Sequence, residues 1–304
     1  MKRRNFIKNS VYGSLGVGVA LNNFSCDDFD IYEKVTILHT NDVHSHIEPF
    51  PKNHSEFPNK GGFERRSSLI NSIRNSNPNT LLFDAGDIFQ GTPYFNFYGG
   101  ELEFKLMSML KYDASTIGNH DFDNGLSGLN EQLPNASFDF ISSNYDFTNT
   151  ILEKKTSQYK IYNKSGIKIG VFGLGIELEG LVTKDLFKET KYLDPIEVSQ
   201  DITNKLKNEE KCDLIICLSH LGFSYDNFPE KISDLNLAKK TKDIDLIIGG
   251  HTHTFMKEPI KVKNVIDNDV IINQVGCFGL FLGQIDFFFD QNNNKTFNSS
   301  LLVI

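Results

Sequence analysis

Five short segments of the chain concentrate carboxylate, amide and imidazole side chains, the groups that coordinate cations and move protons. They are Asp42-Val43-His44, Gly86-Asp87, Gly118-Asn119-His120-Asp121-Phe122-Asp123, Ser219-His220 and Gly250-His251-Thr252-His253. Taken singly, most have a plain structural explanation. Asp42 and His44 could belong to a polar loop, Asp87 to a glycine-assisted turn or helix cap, and His220 to a hydrogen-bonded histidine at a sheet edge. The 118–123 segment is denser in ligand types than a turn needs, and Gly118 permits close backbone approach. Two imidazoles two apart after a double glycine suit metal binding through neutral ring nitrogens. Together the segments hold five of the eight histidines, which independent turns do not explain.

The elements that would position these residues alternate short apolar, β-branched runs with amphipathic stretches, the pattern of an α/β domain. Strands are expected at Val35 to His39, Thr80 to Phe83, Ala114 to Ile117, Phe138 to Ser142, Lys168 to Leu174, Asp213 to Leu218, Ile244 to Ile248 and Val270 to Gln274, with a last pair around Phe281 to Phe289. Helices are expected near Phe63 to Asn75, Glu101 to Leu110, Gly125 to Leu133, Ile196 to Asn208 and Leu235 to Lys240. No long Pro/Ser/Gly linker and no repeat interrupts them, so one domain spanning 35–304 is the economical reading. Nearly every metal-competent residue falls just after an expected strand. In α/β sheets ligands gather beyond the carboxyl ends of strands, so five such ends would converge on one crevice.

In their order along the chain these segments resemble the signature of the calcineurin-like metallophosphoesterases. Ile37-Leu38-His39-Thr40-Asn41-Asp42, Gln90-Gly91-Thr92-Pro93 after Asp87, and Asn119-His120-Asp121-Phe122-Asp123 are similar to its 5'-nucleotidase and UDP-sugar hydrolase branch. The resemblance runs from about Val35 to the C-terminus and implies the catalytic domain of that branch, a two-sheet αββα sandwich. It implies one metal held by Asp42, His44 and His253, a second by Asn119, His220 and His251, and Asp87 bridging them. Two divalent ions are implied, and the mixed oxygen and nitrogen donors suit Zn, Mn or Fe. Such a pair ionises a water at neutral pH and clamps phosphate oxygens during in-line displacement. His120 would donate to a phosphate or leaving-group oxygen and Asp123 would orient it, the bland alternative for Asp123 being a helix N-cap. His39 reads as a buried strand residue, His46 and His54 as loop residues, and Arg65 as structural.

Net charge is -8, and the first 25 residues carry Lys2, Arg3, Arg4 and Lys8 without an acid, which leaves the remainder at -12. A body that acidic is a poor partner for a nucleic-acid duplex. No arginine follows Arg74, so an anion bound by the later chain must be met by metal, Lys, His or backbone N–H. Residues 1–25 read as an export signal in which Arg3-Arg4-Asn5-Phe6-Ile7-Lys8 resembles the twin-arginine type, followed by a tether over 26–34. Cys26 resembles the acylated cysteine of a bacterial lipoprotein, which would anchor the protein to a membrane of the cell envelope, periplasmic or outer. The remaining Cys212, Cys217 and Cys277 are odd in number, and no disulfide is expected.

Relatives of the 5'-nucleotidase type continue into a second domain that recognises the nucleoside, and this chain is expected to lack it at Ile304. Three explanations stay open: a stand-alone enzyme of loose specificity, releasing phosphate from a nucleotide or related phosphoester or hydrolysing 2',3'-cyclic nucleotides or nucleotide sugars as a phosphodiesterase; a catalytic subunit whose recognition domain is a separate chain resembling that C-terminal domain; or a truncated relative. Thiosulfohydrolase-like chemistry on the same scaffold is a further variant. A different class, a lipid-anchored binding or assembly protein with a structural metal site, also stays open.

Overall fold

The computed structural model describes residues 33–304. The segment read as an export signal, Cys26 and the expected tether up to residue 32 lie outside the described residues, and the first strand begins at Glu33, two residues before the expected domain start. One six-stranded sheet is built from β1 (Glu33–Thr40), β2 (Thr80–Asp84), β3 (Ala114–Ser115), β4 (Asp139–Phe140) and the closing hairpin β13 (Phe281–Phe289) and β14 (Lys295–Val303), in the order β14-β13-β1-β2-β3-β4. A second is built from β6 (Tyr159–Lys164), β7 (Ile167–Leu174), β9 (Leu214–Ser219), β10 (Leu246–Gly249), β11 (Ile260–Lys263) and β12 (Asp269–Asn273), in the order β11-β12-β10-β9-β7-β6. Short strands β5 (Tyr145–Asp146) and β8 (Lys191–Tyr192) pair separately. Strands β1 to β4 run parallel, as do β7, β9, β10 and β12; antiparallel strands close both edges of the second sheet and the β14 edge of the first, whose other edge is the parallel β4.

Strand periodicity explains the layers. On β1 Ile37 faces the second sheet and Leu38 faces the other way; on β2 Leu81 and Phe83 face inward and Leu82 outward. On β9 the inward set is Leu214, Ile216 and Leu218, whereas Ile215 and Cys217 face out. Both faces of these strands are therefore buried, as parallel sheets covered by helices require. Over the first sheet lie α1 (Phe63–Ser76), α2 (Pro93–Tyr98), α3 (Glu101–Met109), α4 (Gly125–Gln132) and α5 (Lys184–Phe187), contributing Ile70, Phe95, Phe104, Leu129 and Phe187. Over the second lie α6 (Pro195–Asn204) and α7 (Asp234–Lys240), with Ile202 and Leu237. The result is the expected αββα sandwich. Among the described residues no helix is long and apolar enough to cross a membrane.

The expected pair around Phe281 to Phe289 is instead one nine-residue strand, and its partner lies at Lys295–Val303. Between them Asp290 forms a polar turn, its Oδ1 accepting from the N–H groups of Asn292 and Asn294, each at 2.8 Å. β14 is a half-exposed edge strand, as are β6 and β11. None of the three carries the buried periodicity by which inner strands announce themselves. Cys212, Cys217 and Cys277 are free thiols, the first two buried.

His39 joins the two sheets. It is fully buried on β1 opposite Gly283, where a Cβ would overlap His39 Nε2, so the absent side chain makes room for the ring. Asn273, at the end of β12, donates to that nitrogen at 2.9 Å. Burial pushes the His39 pKa down to about 3, so the ring stays neutral in the folded protein while the unfolded chain protonates near the ordinary value of 6.5. The unfolded state then binds more protons between those values, and the stabilisation, fully present above pH 6.5, is lost as pH falls toward 3. Denaturant titrations should show unfolding free energy falling more steeply below pH 6.5 in the native protein than in His39→Gln, by up to about 1.4 kcal/mol per pH unit. Parallel pH dependences would refute this role.

Candidate metal centre

The strand ends converge as their positions along the chain imply. Asp42 and His44 follow β1, Asp87 follows β2, Asn119 follows β3, His220 follows β9, and His251 and His253 follow β10. Two donor groups form, Asp42 with His44 and His253, and Asp87 with His220 and His251, the donor atoms of each lying within 4.8 Å of one another. Asn119 joins the second group, its Oδ1 2.8 Å from His251 Nδ1. Asp87 Oδ2 stands between the groups, 3.1 Å from His220 Nε2 and 3.8 Å from His44 Nε2.

Tautomers matter here. His44 Nδ1–H donates to the carbonyl of Phe89 at 3.1 Å and His220 Nδ1–H to that of Ala85 at 2.6 Å. With Nδ1 turned outward, the Nε2 of each ring points into the site. His44 Nε2 lies 3.0 Å from His253 Nε2, and the buried His220 Nε2 has no hydrogen-bond partner among the described residues while facing the Asp87 carboxylate at 3.1 Å. Nitrogens and carboxylate oxygens packed this closely repel unless a proton or a cation lies among them. The electrostatics agree. Burial alone would lower the His220 pKa, but Asp87 and Asp42 outweigh it and raise it to about 10. Hydrogen bonds to Asp42 and Cys277 lift His253 to about 10, whereas burial and the nearby His220 bring His251 down to about 4. This mixture of carboxylate, amide and imidazole donors fits a pair of divalent cations.

The local backbone is strained to reach this arrangement. Asp42, His44, Asp87, His251 and His253 all have positive φ, between 49° and 72°. Such conformations persist only where surrounding structure over-determines them. Gly118 shows the closeness required, since a Cβ there would overlap Asp87 Oδ1.

His120 and Asp123 stand beside the donors. The His120 ring meets that of His44 edge-on at 5.3 Å, its backbone N–H donates to Asp87 Oδ1 at 2.8 Å, and its Nδ1 is 3.0 Å from Asp123 Oδ2. That hydrogen bond raises the His120 pKa. The helix-cap alternative for Asp123 fails, because α4 is preceded by Asn124 and no side chain caps it. Arg65, as expected, is bound locally, to the Asn59 side chain at 3.0 Å. His46 is not a free loop residue. Its Nδ1–H donates to His44 O at 2.9 Å and its ring packs 4.4 Å from Phe278, which in turn lies about 6 Å from the His44 and His253 rings. With Phe50, 5.1 Å from His46, these make a half-buried row of rings leading away from the donors.

Three supporting residues escape a reading by residue type. The buried Asp121 carboxylate accepts from four backbone N–H groups, those of Ile88 and Phe89 on Oδ1 at 2.9 and 3.2 Å and those of Asp87 and Gly118 on Oδ2 at 3.1 and 2.8 Å. Asn41 donates to Asp42 Oδ2 and Gly276 O, each at 2.6 Å, and accepts from Val275 N–H, joining the ends of β1 and β12. Gln274 donates to Gly250 O at 2.6 Å and accepts from Thr252 and Thr254, clamping the loop of His251 and His253. Asp121 and Asn41 were signalled only by adjacency to the ligand segments, and Gln274 only by its place at the end of an expected strand.

The sequence profile of the calcineurin-like phosphoesterases matches residues 35–255. The chain is 33% identical to the trifunctional nucleotide phosphoesterase protein YfkN of Bacillus subtilis over 89% of its length and 19% of that protein's. It is 34% identical to the snake venom 5'-nucleotidase of Crotalus adamanteus over 86% of its length and 46% of that protein's. The crystal structure of a 5'-nucleotidase precursor from Thermus thermophilus superposes with a TM-score of 0.80 at 30% identity, over 90% of this chain and 55% of that one. The chain thus spans about half, or less, of the length of these relatives.

Asp121→Asn should reveal how much the site leans on that carboxylate. One pair of N–H donors would face an amide NH2, so unfolding free energy should fall by about 2–6 kcal/mol, from roughly 1–3 kcal/mol for each of the two buried donors left unsatisfied. Thermal or denaturant unfolding measures it, and a loss below about 0.5 kcal/mol would contradict the assignment.

Proposed function

The chain belongs to the calcineurin-like phosphoesterase family, and from that premise we propose that it hydrolyses the phosphoester of a nucleotide or a related small phosphoester, in the manner of a 5'-nucleotidase. The observation that carries the reading is the pair of donor groups sharing Asp87, with His120 and Asp123 beside them. Asp42, His44 and His253 would hold one divalent ion, Asn119, His220 and His251 the other, with Asp87 between. When bound, two such ions supply Lewis acidity to phosphate oxygens and acidify water.

The chain's own groups do the rest. His120 has Nδ1 engaged by Asp123, which leaves the other ring nitrogen to donate to a phosphate or leaving-group oxygen as negative charge develops there. Asp123 holds the ring in that tautomer. Asp121, Asn41 and Gln274 hold the donors at fixed separation, so little reorganisation accompanies the reaction. The ring row from Phe278 through His46 to Phe50 supports a leaving alcohol that carries a planar base, because stacking rewards a flat π-face that a simple aliphatic alcohol lacks. The proposed location is the bacterial cell envelope, on the grounds of Arg3, Arg4 and Cys26 in the N-terminal segment.

The test is a panel of 5'-mononucleotides, nucleotide sugars, 2',3'-cyclic nucleotides and an aryl phosphodiester offered to protein loaded with Zn, Mn or Fe. Metal-dependent phosphate release from the mononucleotides is expected, while turnover confined to the diesters would move the assignment to a phosphodiesterase. His120→Asn should retain its metals and lose about 100- to 10,000-fold in kcat. Full activity in that variant would remove His120 from the reaction, and no turnover by metal-loaded native protein would sink the proposal. Phe278→Leu should cut the native preference for nucleotide over glycerol phosphate about 2- to 13-fold, from roughly 0.5–1.5 kcal/mol per aromatic contact. An unchanged preference would discount the ring row.

A further inference from the structure

A small cavity lies beneath the loop that carries Asp42 and His44. Ser45, His46, Arg66, Glu103 and Tyr112 line it, and it leaves about 20 Å³ for the centre of a water. Two of these residues are opposite charges, nine-tenths or more buried: Arg66 on α1 is 5% exposed and Glu103 on α3 is 4% exposed. Glu103 Oε1 accepts from the Ser45 hydroxyl, but Oε2 has no partner among the described residues, and neither has Arg66 Nε. A buried cationic donor and a buried anionic acceptor, both unsatisfied at one cavity, are costly unless something small both accepts and donates between them. The volume and the polar lining meet the conditions for a buried water, which accepts from Nε–H and donates to Oε2.

We propose that an ordered water bound between Arg66 and Glu103 completes a polar brace under the Asp42–Ser45 loop, making both residues positioning residues for the donor group of Asp42, His44 and His253. The inference rests on the reading of that group as a metal site. The loop needs a brace because Asp42, His44 and Ser45 all hold positive φ, at 49°, 49° and 57°. From Glu103 the brace continues through Ser45, whose hydroxyl lies 2.9 Å from that of Thr92, while Thr92 donates to Ser45 O at 2.9 Å and Ser45 N–H to Ile88 O at 2.8 Å. From Arg66 it reaches the other side of Asp42. The guanidinium packs against Gly279, where a Cβ would lie 2.5 Å from Nη1, and the neighbouring Phe278 N–H donates to Asp42 O at 2.7 Å. The loop is thus held from α1, from α3 and from the segment after β12.

The test combines a crystal structure of the metal-loaded protein with titration of Zn against a chromophoric chelator, which reads two dissociation constants. Density for a water within hydrogen-bond distance of Arg66 Nε and Glu103 Oε2 is expected. Glu103→Leu and Arg66→Met should weaken one of the two sites about 10- to 100-fold and leave the other within about two-fold, as loss of a group behind a ligand does. Glu103→Gln, which keeps an acceptor for Ser45, should recover most of the affinity. Arg66→Lys keeps the charge without Nε–H and should show the same one-site loss, which carries the test if the larger changes prevent folding. A dry cavity, unchanged constants, or equal weakening of both sites would overturn the brace. Native protein that binds no Zn would instead remove the metal reading on which it rests.

Discussion

Too many nitrogen and oxygen donors meet in too small a space beyond the strand ends of the two sheets. His44 and His253 bring ring nitrogens to 3.0 Å, His220 brings one to 3.1 Å from Asp87, and Asp42 Oδ1 lies 3.4 Å from His253. The outer nitrogens of His44 and His220 already donate to backbone carbonyls, so positive charge among the inner nitrogens and the carboxylates comes from added protons or from cations. Only positive charge makes such a cluster favourable, and in a buried site two divalent cations supply more of it than shared protons.

Much of the architecture serves to keep that cluster from relaxing apart. Parallel strands from two sheets deliver their carboxyl ends to one side, and the inter-sheet core of Ile37, Phe83, Ile216 and Ile248 fixes their separation. His39 and Asn41 add polar ties from β1 to the end of β12 and the residues after it. Left-handed backbone at five donor residues turns the side chains inward over a short span, and Asp121 answers four of the N–H groups those turns leave over. Function and strain coincide here, as expected where geometry is imposed by the surroundings.

The donors themselves were legible in the amino-acid sequence because their types are unusual and their spacing places each at a strand end. The inner strands were legible for a related reason: burial on both faces leaves an unbroken apolar run, as in Leu214 to Leu218. What stayed hidden depends on partners far away along the chain. Asp121 is one acid among several in its segment, and nothing in that segment says its carboxylate meets the N–H groups 32 to 34 residues earlier. Arg66 and Glu103 are an ordinary pair of charges until the fold buries both at one cavity. His46 looks like a loop histidine until Phe278 is laid against it. The edge strands β6, β11 and β14 were missed or misplaced because one side of each meets solvent and weakens the pattern.

The central claim is that the crowded donors exist to hold two cations, and anomalous diffraction from metal-loaded crystals tests it most directly. Two peaks per chain are expected, one among Asp42, His44 and His253 and one among Asn119, His220 and His251, with Asp87 beside both. A single peak, or none with the ring nitrogens still facing one another, would contradict it.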